Sequence, residues 1–213
     1  MPADAFRHVD AWVFDLDNTL YPPSVRLFDQ IDRKMTAYVM RETGSDPARA
    51  DQLRHQYWQA YGTTLAGLMA HHGTDPEPYL VEVHDIDFSV LAPDPALRAA
   101  IARLRGRRIV YTNGSAPYAQ RVIAARGLDG LFDAVYGVEH AAYVPKPQPQ
   151  AFARVFAADG LDPGRAAMFE DDPRNLKVPH DLGMRTVLVG PQPQVQPHIQ
   201  HHTDDLAAFL NRL

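Results

Sequence analysis

The sequence predicts an α/β fold: a parallel sheet covered by helices on both faces, with a helical insertion after the first strand. Three observations lead there. Residues 11–14 (Ala-Trp-Val-Phe) are an apolar run too short for a helix, ending at a pair of carboxylates. From residue 94 onward helix-like and strand-like segments alternate, as they do where helical crossovers join parallel strands. Residues 20–86 carry helical periodicity alone. The boundaries that follow are 1–19 and 87–213 for the α/β core and 20–86 for the insertion, which sits over the carboxyl edge of the sheet as a lid.

After the first strand, Ser24 is the N-cap candidate of a helix in which Leu27, Phe28, Ile31, Met35, Tyr38 and Val39 recur at helical spacing up to Gly44. Asp46-Pro47 opens a second helix, because aspartate accepts from first-turn N–H groups and proline lacks the donor that would be orphaned there. It carries Leu53, Tyr57, Trp58 and Tyr61 and stops at Gly62; Thr63 or Thr64 caps a third, and a short fourth covers about 77 to 83. Asp94-Pro95 starts a helix that ends near Arg105-Gly106. Strands are then expected at 108–112, 134–136, 166–169 and 186–189, with helices at 115–127 and 149–158 between them. Residues 191–198 read as an exposed loop, and 204–210 as a last helix.

Composition narrows the chemistry. A net charge of -5 without any Lys/Arg run argues against a nucleic-acid polymer as partner. No apolar run approaches the roughly 18–20 residues that span a bilayer, and no basic-then-apolar leader opens the chain, so a cytoplasmic protein without a membrane partner is expected. The absence of cysteine removes disulfides, thiolate metal sites and thiol nucleophiles. No serine stands in a Gly-x-Ser-x-Gly elbow and no glycine-rich dinucleotide loop follows a strand. His71-His72 and His201-His202 are adjacent pairs, not the i, i+4 spacing of helical metal ligands, and are assigned to the surface or tail.

Four strand ends carry the chemistry. Asp15 and Asp17 leave the core together at the carboxyl edge, where such sheets place ligands. Carboxylates fixed so close repel, and a site that keeps them holds a cation or performs proton chemistry. Thr112-Asn113-Gly114-Ser115 offers a hydroxyl, an amide and a turn opening a helix, a set suited to an anion. Lys146 is one of only three lysines among 21 Lys+Arg and stands between two prolines that hold it extended; its compact charge can meet a carboxylate and a phosphate at once. Glu170-Asp171-Asp172 follows the fourth strand directly. Two unit charges about 4 Å apart repel by roughly 4 kcal/mol at an effective dielectric near 20. Several carboxylates against one lysine therefore need a hard divalent cation, and oxygen ligands point to Mg²⁺.

In order, these segments are Asp-Leu-Asp-Asn-Thr at 15–19, Thr-Asn-Gly at 112–114, lysine between prolines at 146 and Glu-Asp-Asp at 170–172. With them the chain resembles, over its whole length, the haloacid-dehalogenase-like superfamily, with a Rossmann-like core and the insertion as its helical cap. The resemblance implies phosphatase-type chemistry through an aspartyl-phosphate. It makes Asp15 the nucleophile, and Asp17 the acid for the leaving oxygen and then the base for water. Thr112 and the Asn113 backbone would hold phosphate oxygens, and Lys146 would balance charge. Asp171 would bind Mg²⁺ with the Asp15 carboxylate and the Asp17 carbonyl. Glu170 and Asp172 would stand behind these groups. Many relatives carry serine where Asp172 stands, which leaves it two roles: orienting Lys146, or acting through metal-bound water. An acid at position 17 favours a phosphate ester over a halide, since an alkoxide leaving group gains typically 10²–10⁴-fold from general acid help.

Residues 15–22, 61–68 and 84–87 also look like the pyrimidine 5′-nucleotidase branch, which implies nucleoside monophosphates such as UMP or CMP. Tyr21, Tyr57, Trp58 and Tyr61 are candidates to stack on a base, although filling a cap core is the favoured role for Tyr57 and Trp58. Alternatives are another small phosphate ester (a sugar phosphate or phosphoglycolate), a phosphomutase, and a non-catalytic binder of phosphorylated ligands.

Overall fold

A computed structural model describes residues 2–213. Six short strands, β1 (Ala11–Phe14), β2 (Arg107–Tyr111), β3 (Ala134–Tyr136), β4 (Ala166–Glu170), β5 (Arg185–Val189) and β6 (His201–Thr203), form one parallel sheet in the order β3-β2-β1-β4-β5-β6. The chain winds one way from β1 to β3 and the other way from β4 to β6. β1 thus lies at the reversal, with Phe14 in register with Val110 on one side and Phe169 on the other. A crevice opens at the carboxyl ends of strands at such a reversal.

Both faces of β1 are buried, and alternation along it divides them. Trp12 and Phe14 pack with α1 (Pro2–Phe6), α6 (Pro95–Ala102), α7 (Ala116–Ala125) and α10 (Leu206–Leu210). Ala11 and Val13 pack with α8 (Pro149–Asp159). Between β1 and α6 lie four helices, α2 (Phe28–Thr43), α3 (Pro47–Tyr61), α4 (Thr64–His72) and α5 (Pro76–Val83), which form the helical cap. The caps expected from sequence form: Asp46 accepts from the Arg49 N–H, Thr63 from Ala66, Asp94 from Leu97 and Ser115 from Tyr118. At Gly67 a Cβ would lie 2.1 Å from Tyr57 Cγ, so the approach of α3 and α4 requires glycine.

Three expectations are corrected. The first cap helix begins at Phe28, not after Ser24. Pro22 and Pro23 open a separate short 3₁₀ turn there, and Arg26, in the left-handed region (φ 57°), ends it. α6 stops at Ala102 rather than near 105. His201 and His202 belong to the edge strand β6: His201 packs on Phe6 and Phe209, and His202 Nε2 meets the Gly190 carbonyl at 2.7 Å. A five-residue helix, α9 (Lys177–Asp181), was also not foreseen. No helix among the described residues is long and apolar enough to cross a membrane.

Candidate active site

Asp15 continues β1 by one residue, its N–H donating to the Phe169 carbonyl at 2.9 Å, and so stands at the level of Glu170. Lys146 Nζ donates to Asp15 Oδ1 (2.7 Å), Glu170 Oε2 (3.0 Å) and the Tyr111 carbonyl (3.1 Å), which engages all three ammonium protons. All three charged side chains are buried. Burial alone lowers the Lys146 pKa, but the charges of Asp15 and Glu170 outweigh it and raise it overall. Burial, followed by the charge of Asp15, lifts Glu170 well above the usual carboxylate range. Removing one member of such a buried set leaves uncompensated charge, a cost of several kcal/mol.

The Lys146 loop is clamped from two sides. Asn113 accepts from the Lys146 N–H (2.8 Å) and donates to its carbonyl (3.1 Å). From the cap, Gly62 (φ 93°) approaches so closely that a Cβ would lie 2.8 Å from the Lys146 oxygen. Thr112 Oγ1 accepts from the Gly114 N–H at 2.9 Å, which folds the turn into α7 and leaves the hydroxyl proton available to an anion.

Asp17 has a different environment from Asp15. Its Oδ1 accepts from two phenols, Tyr21 (2.7 Å) and Tyr118 (2.5 Å). Burial, then the neighbouring Asp15 charge, pushes its pKa up to about 6. The Tyr118 ring stacks on His84 (4.2 Å between centroids, 7°), and His84 Nδ1 meets Ser115 Oγ at 3.1 Å. Burial lowers His84 to about 4, so it is a neutral spacer where the cap returns to the core.

Carboxylate oxygens of Asp15, Glu170 and Asp171 lie within 4.8 Å of one another. Both Glu170 oxygens are engaged, by Lys146 and by Asn175 Nδ2 (2.5 Å), so Asp15 and Asp171 are the members with an oxygen left to offer a cation. Burial and the Asp15 charge raise Asp171 to about 8, while Asn18 Nδ2 donates to its Oδ2 at 3.2 Å. Asn175 Oδ1 is a buried acceptor without a donor partner. This donor set fits a hard divalent cation with a water ligand.

The Asp172 carboxylate caps the 3₁₀ turn at Pro173–Leu176 and holds the Arg174 guanidinium through two nitrogens (2.6–3.1 Å). Arg174 in turn lies over the Trp58 ring at 3.5 Å, so Asp172 anchors a contact between the core and α3.

One cavity of about 460 Å³ runs from these residues into the cap. Asp15, Asp17, Thr112, Asn113, Lys146, Glu170, Asp171 and Asp172 all line it, as do Phe28, Ile31, Met35, Asp32, Arg54 and Tyr79 from the cap. Of the four expected stacking residues only Trp58 lines it, with its ring already partnered by Arg174. Tyr21 is buried beneath Asp17, Tyr57 packs on Gly67 and the His71 ring, and Tyr61 bonds His71 Nε2 at 2.6 Å. Sequence reasoning missed Tyr118, Asn18 and Asn175. Their available signal was position, since each lies within a few residues of a strand end that already carried a motif.

A family model for haloacid dehalogenase-like hydrolases matches residues 9–183. Phosphate metabolism protein 8 of Saccharomyces cerevisiae is 26% identical over 191 residues, 82% of this chain and 60% of that protein, so the chain spans about 60% of that relative's length. Glyceraldehyde 3-phosphate phosphatase of Methanopyrus kandleri is 27% identical over 220 residues, 94% of this chain and 92% of that protein. Among solved structures, CbbY from Rhodobacter sphaeroides in complex with phosphate shares the fold, with a TM-score of 0.64 at 20% identity, covering 95% of this chain and 99% of that one. The chain belongs to the haloacid dehalogenase-like hydrolase family.

Proposed function

We propose that this enzyme hydrolyses small phosphate monoesters through a phosphoryl group carried on Asp15. The observation that carries the proposal is the contrast within one carboxylate pair: Asp15 is bonded to an ammonium, while Asp17, two residues on, is bonded to phenols and raised to about 6. Such a split assigns a nucleophile and an acid/base. An Asp15 oxygen attacks phosphorus as the ester P–O bond breaks, and the departing oxygen takes the proton of Asp17. A water then gives a proton to Asp17 and attacks the same phosphorus, which breaks the bond to Asp15 and frees phosphate. Because both phenols occupy Oδ1, the exchanged proton is carried on Oδ2. Thr112 and the backbone of Asn113 bind phosphate oxygens, and Glu170 holds Lys146 in place. Asp15, Asp171 and the Asp17 carbonyl would hold Mg²⁺, which when bound supplies positive charge to the phosphoryl oxygens. We place the core at 1–19 and 87–213 and the cap at 20–86.

The substrate we propose is a pyrimidine nucleoside monophosphate such as UMP or CMP, supported by the likeness of residues 15–22, 61–68 and 84–87 to that branch. A sugar phosphate is the second candidate, favoured by the archaeal relative that matches 94% of the chain. A phosphate-release panel with UMP, CMP, AMP, glyceraldehyde 3-phosphate and phenyl phosphate, with Mg²⁺ and with chelator, tests both. Release is expected to need the metal and to fall by roughly 10⁴-fold or more in Asp15→Asn. Release that survives either change overturns the mechanism, and a preference for AMP or glyceraldehyde 3-phosphate overturns the pyrimidine assignment alone.

A further inference from the structure

We infer that the cap end of the cavity is a subsite for an uncharged leaving group bearing a hydrogen-bond acceptor, and that it rejects a second anion. This rests on the phosphatase function proposed above and names its substrate class.

The first support is a pair of donors without acceptors. Tyr79, on α5, is 2% exposed and lines the cavity, and its hydroxyl is buried with no hydrogen-bond partner. Burial raises its pKa, so the phenol keeps its proton. Arg54, on α3, is 9% exposed and lines the same cavity, and its Nε–H is likewise buried and unpartnered. Leaving a buried polar group unpaired is unfavourable, and a ligand carbonyl or hydroxyl oxygen would relieve it. Phe28, Ile31 and Met35, also from the cap, line the same cavity, a setting for an apolar body with one polar edge.

Charge supplies the second support. The terminal nitrogens of Arg54 are already engaged: Nη2 with Asp32, and Nη1 with Thr36 Oγ1 (2.6 Å) and Asp51 Oδ1 (3.3 Å). Asp32 and Asp51 both line the cavity, so this wall carries two carboxylates against one guanidinium. Lys146 is the other Lys or Arg among the described lining residues, and its three protons are held at the phosphate end. A leaving group with its own carboxylate or phosphate meets like charge and no free Lys or Arg. Nucleosides and neutral sugars share the accepted chemistry.

The test compares kcat/KM for UMP, glyceraldehyde 3-phosphate, phosphoglycolate and phenyl phosphate. In the native enzyme UMP or glyceraldehyde 3-phosphate is expected to exceed phosphoglycolate by about tenfold or more; the reverse order overturns the inference. Tyr79→Phe is expected to lower the ratio of the acceptor-bearing ester to phenyl phosphate by about tenfold, through KM. Whichever ester loses its advantage, UMP or glyceraldehyde 3-phosphate, identifies the source. Asp32→Asn, which releases an Arg54 nitrogen, is expected to raise phosphoglycolate relative to phenyl phosphate by about fivefold or more. Unchanged ratios in both variants, with phenyl phosphate still hydrolysed, overturn the subsite alone. Inert native enzyme overturns the phosphatase proposal instead. In that case calorimetric titration of UMP or glyceraldehyde 3-phosphate into Asp15→Asn and into Asp15→Asn with Tyr79→Phe still decides the subsite: about tenfold weaker binding of one ester supports it, and equal affinity for both overturns it.

Discussion

At the sheet end of the cavity Lys146 commits every proton to Asp15, Glu170 and the Tyr111 carbonyl, and Asp17 accepts two phenols on one oxygen. At the cap end, Tyr79 and Arg54 each keep a buried donor without a partner, and the carboxylates around Arg54 are about half exposed. The difference matches what each end must recognise. A phosphoryl group is the same in every substrate, so its surroundings can be fixed in advance at low reorganisation cost. The leaving group is what varies, and donors awaiting acceptors are the means of choosing it.

The largest effects are expected at the sheet end. Asp17→Asn is expected to slow hydrolysis of alkyl phosphates by roughly 10²–10⁴-fold, and of phenyl phosphate by less, because a phenolate leaves with less help from an acid. An equal loss in kcat/KM on both would contradict the role of Asp17 as acid for the leaving oxygen. Lys146→Met leaves Asp15 and Glu170 buried and unpaired, so denaturant unfolding should show a loss of about 3–5 kcal/mol. Arg54→Met should cost less, under about 2 kcal/mol, since Asp32 and Asp51 regain water. Equal costs would erase the contrast between the two ends.

A smaller effect concerns pH. Asp17 and Asp171 titrate near 6 and 8 in the folded chain, against 3.8 ordinarily. The folded state therefore binds more protons than the unfolded state across this window, and stability falls as pH rises. Their contribution is fully present below about pH 4 and is lost as pH rises through about 6 and about 8 in metal-free protein. Mg²⁺ competes with those protons, so its stabilisation should grow from pH 5 to 8. Thermal melts with Mg²⁺ and with chelator check this; a chelated protein whose midpoint rises over that range would contradict it.

The residues legible from sequence are those that a strand delivers to the sheet edge: Asp15, Asp17, Thr112, Lys146 and the acidic run at 170–172 each abut a strand or its loop. Asp172 was legible too, by a different rule. Asp172-Pro173 is the same cap-and-proline signal as Asp46-Pro47 and Asp94-Pro95, and it predicts the local turn that the structure shows. Tyr79 and Arg54 were not legible, because they meet only through the packing of separate helices, where sequence spacing carries no information. The edge strand β6 was hidden by its composition: three polar residues, His-His-Thr, take strand form through pairing with β5.

The proposed mechanism turns on a phosphoryl group carried by Asp15. Quenching the enzyme in acid during turnover of phenyl phosphate with Mg²⁺, then mapping phosphorylated peptides by mass spectrometry, tests it most directly. One phosphoryl group is expected on the peptide carrying Asp15, discharged by hydroxylamine and absent from Asp15→Asn. Turnover without that adduct, or an adduct on another residue, would rule out Asp15 as the nucleophile.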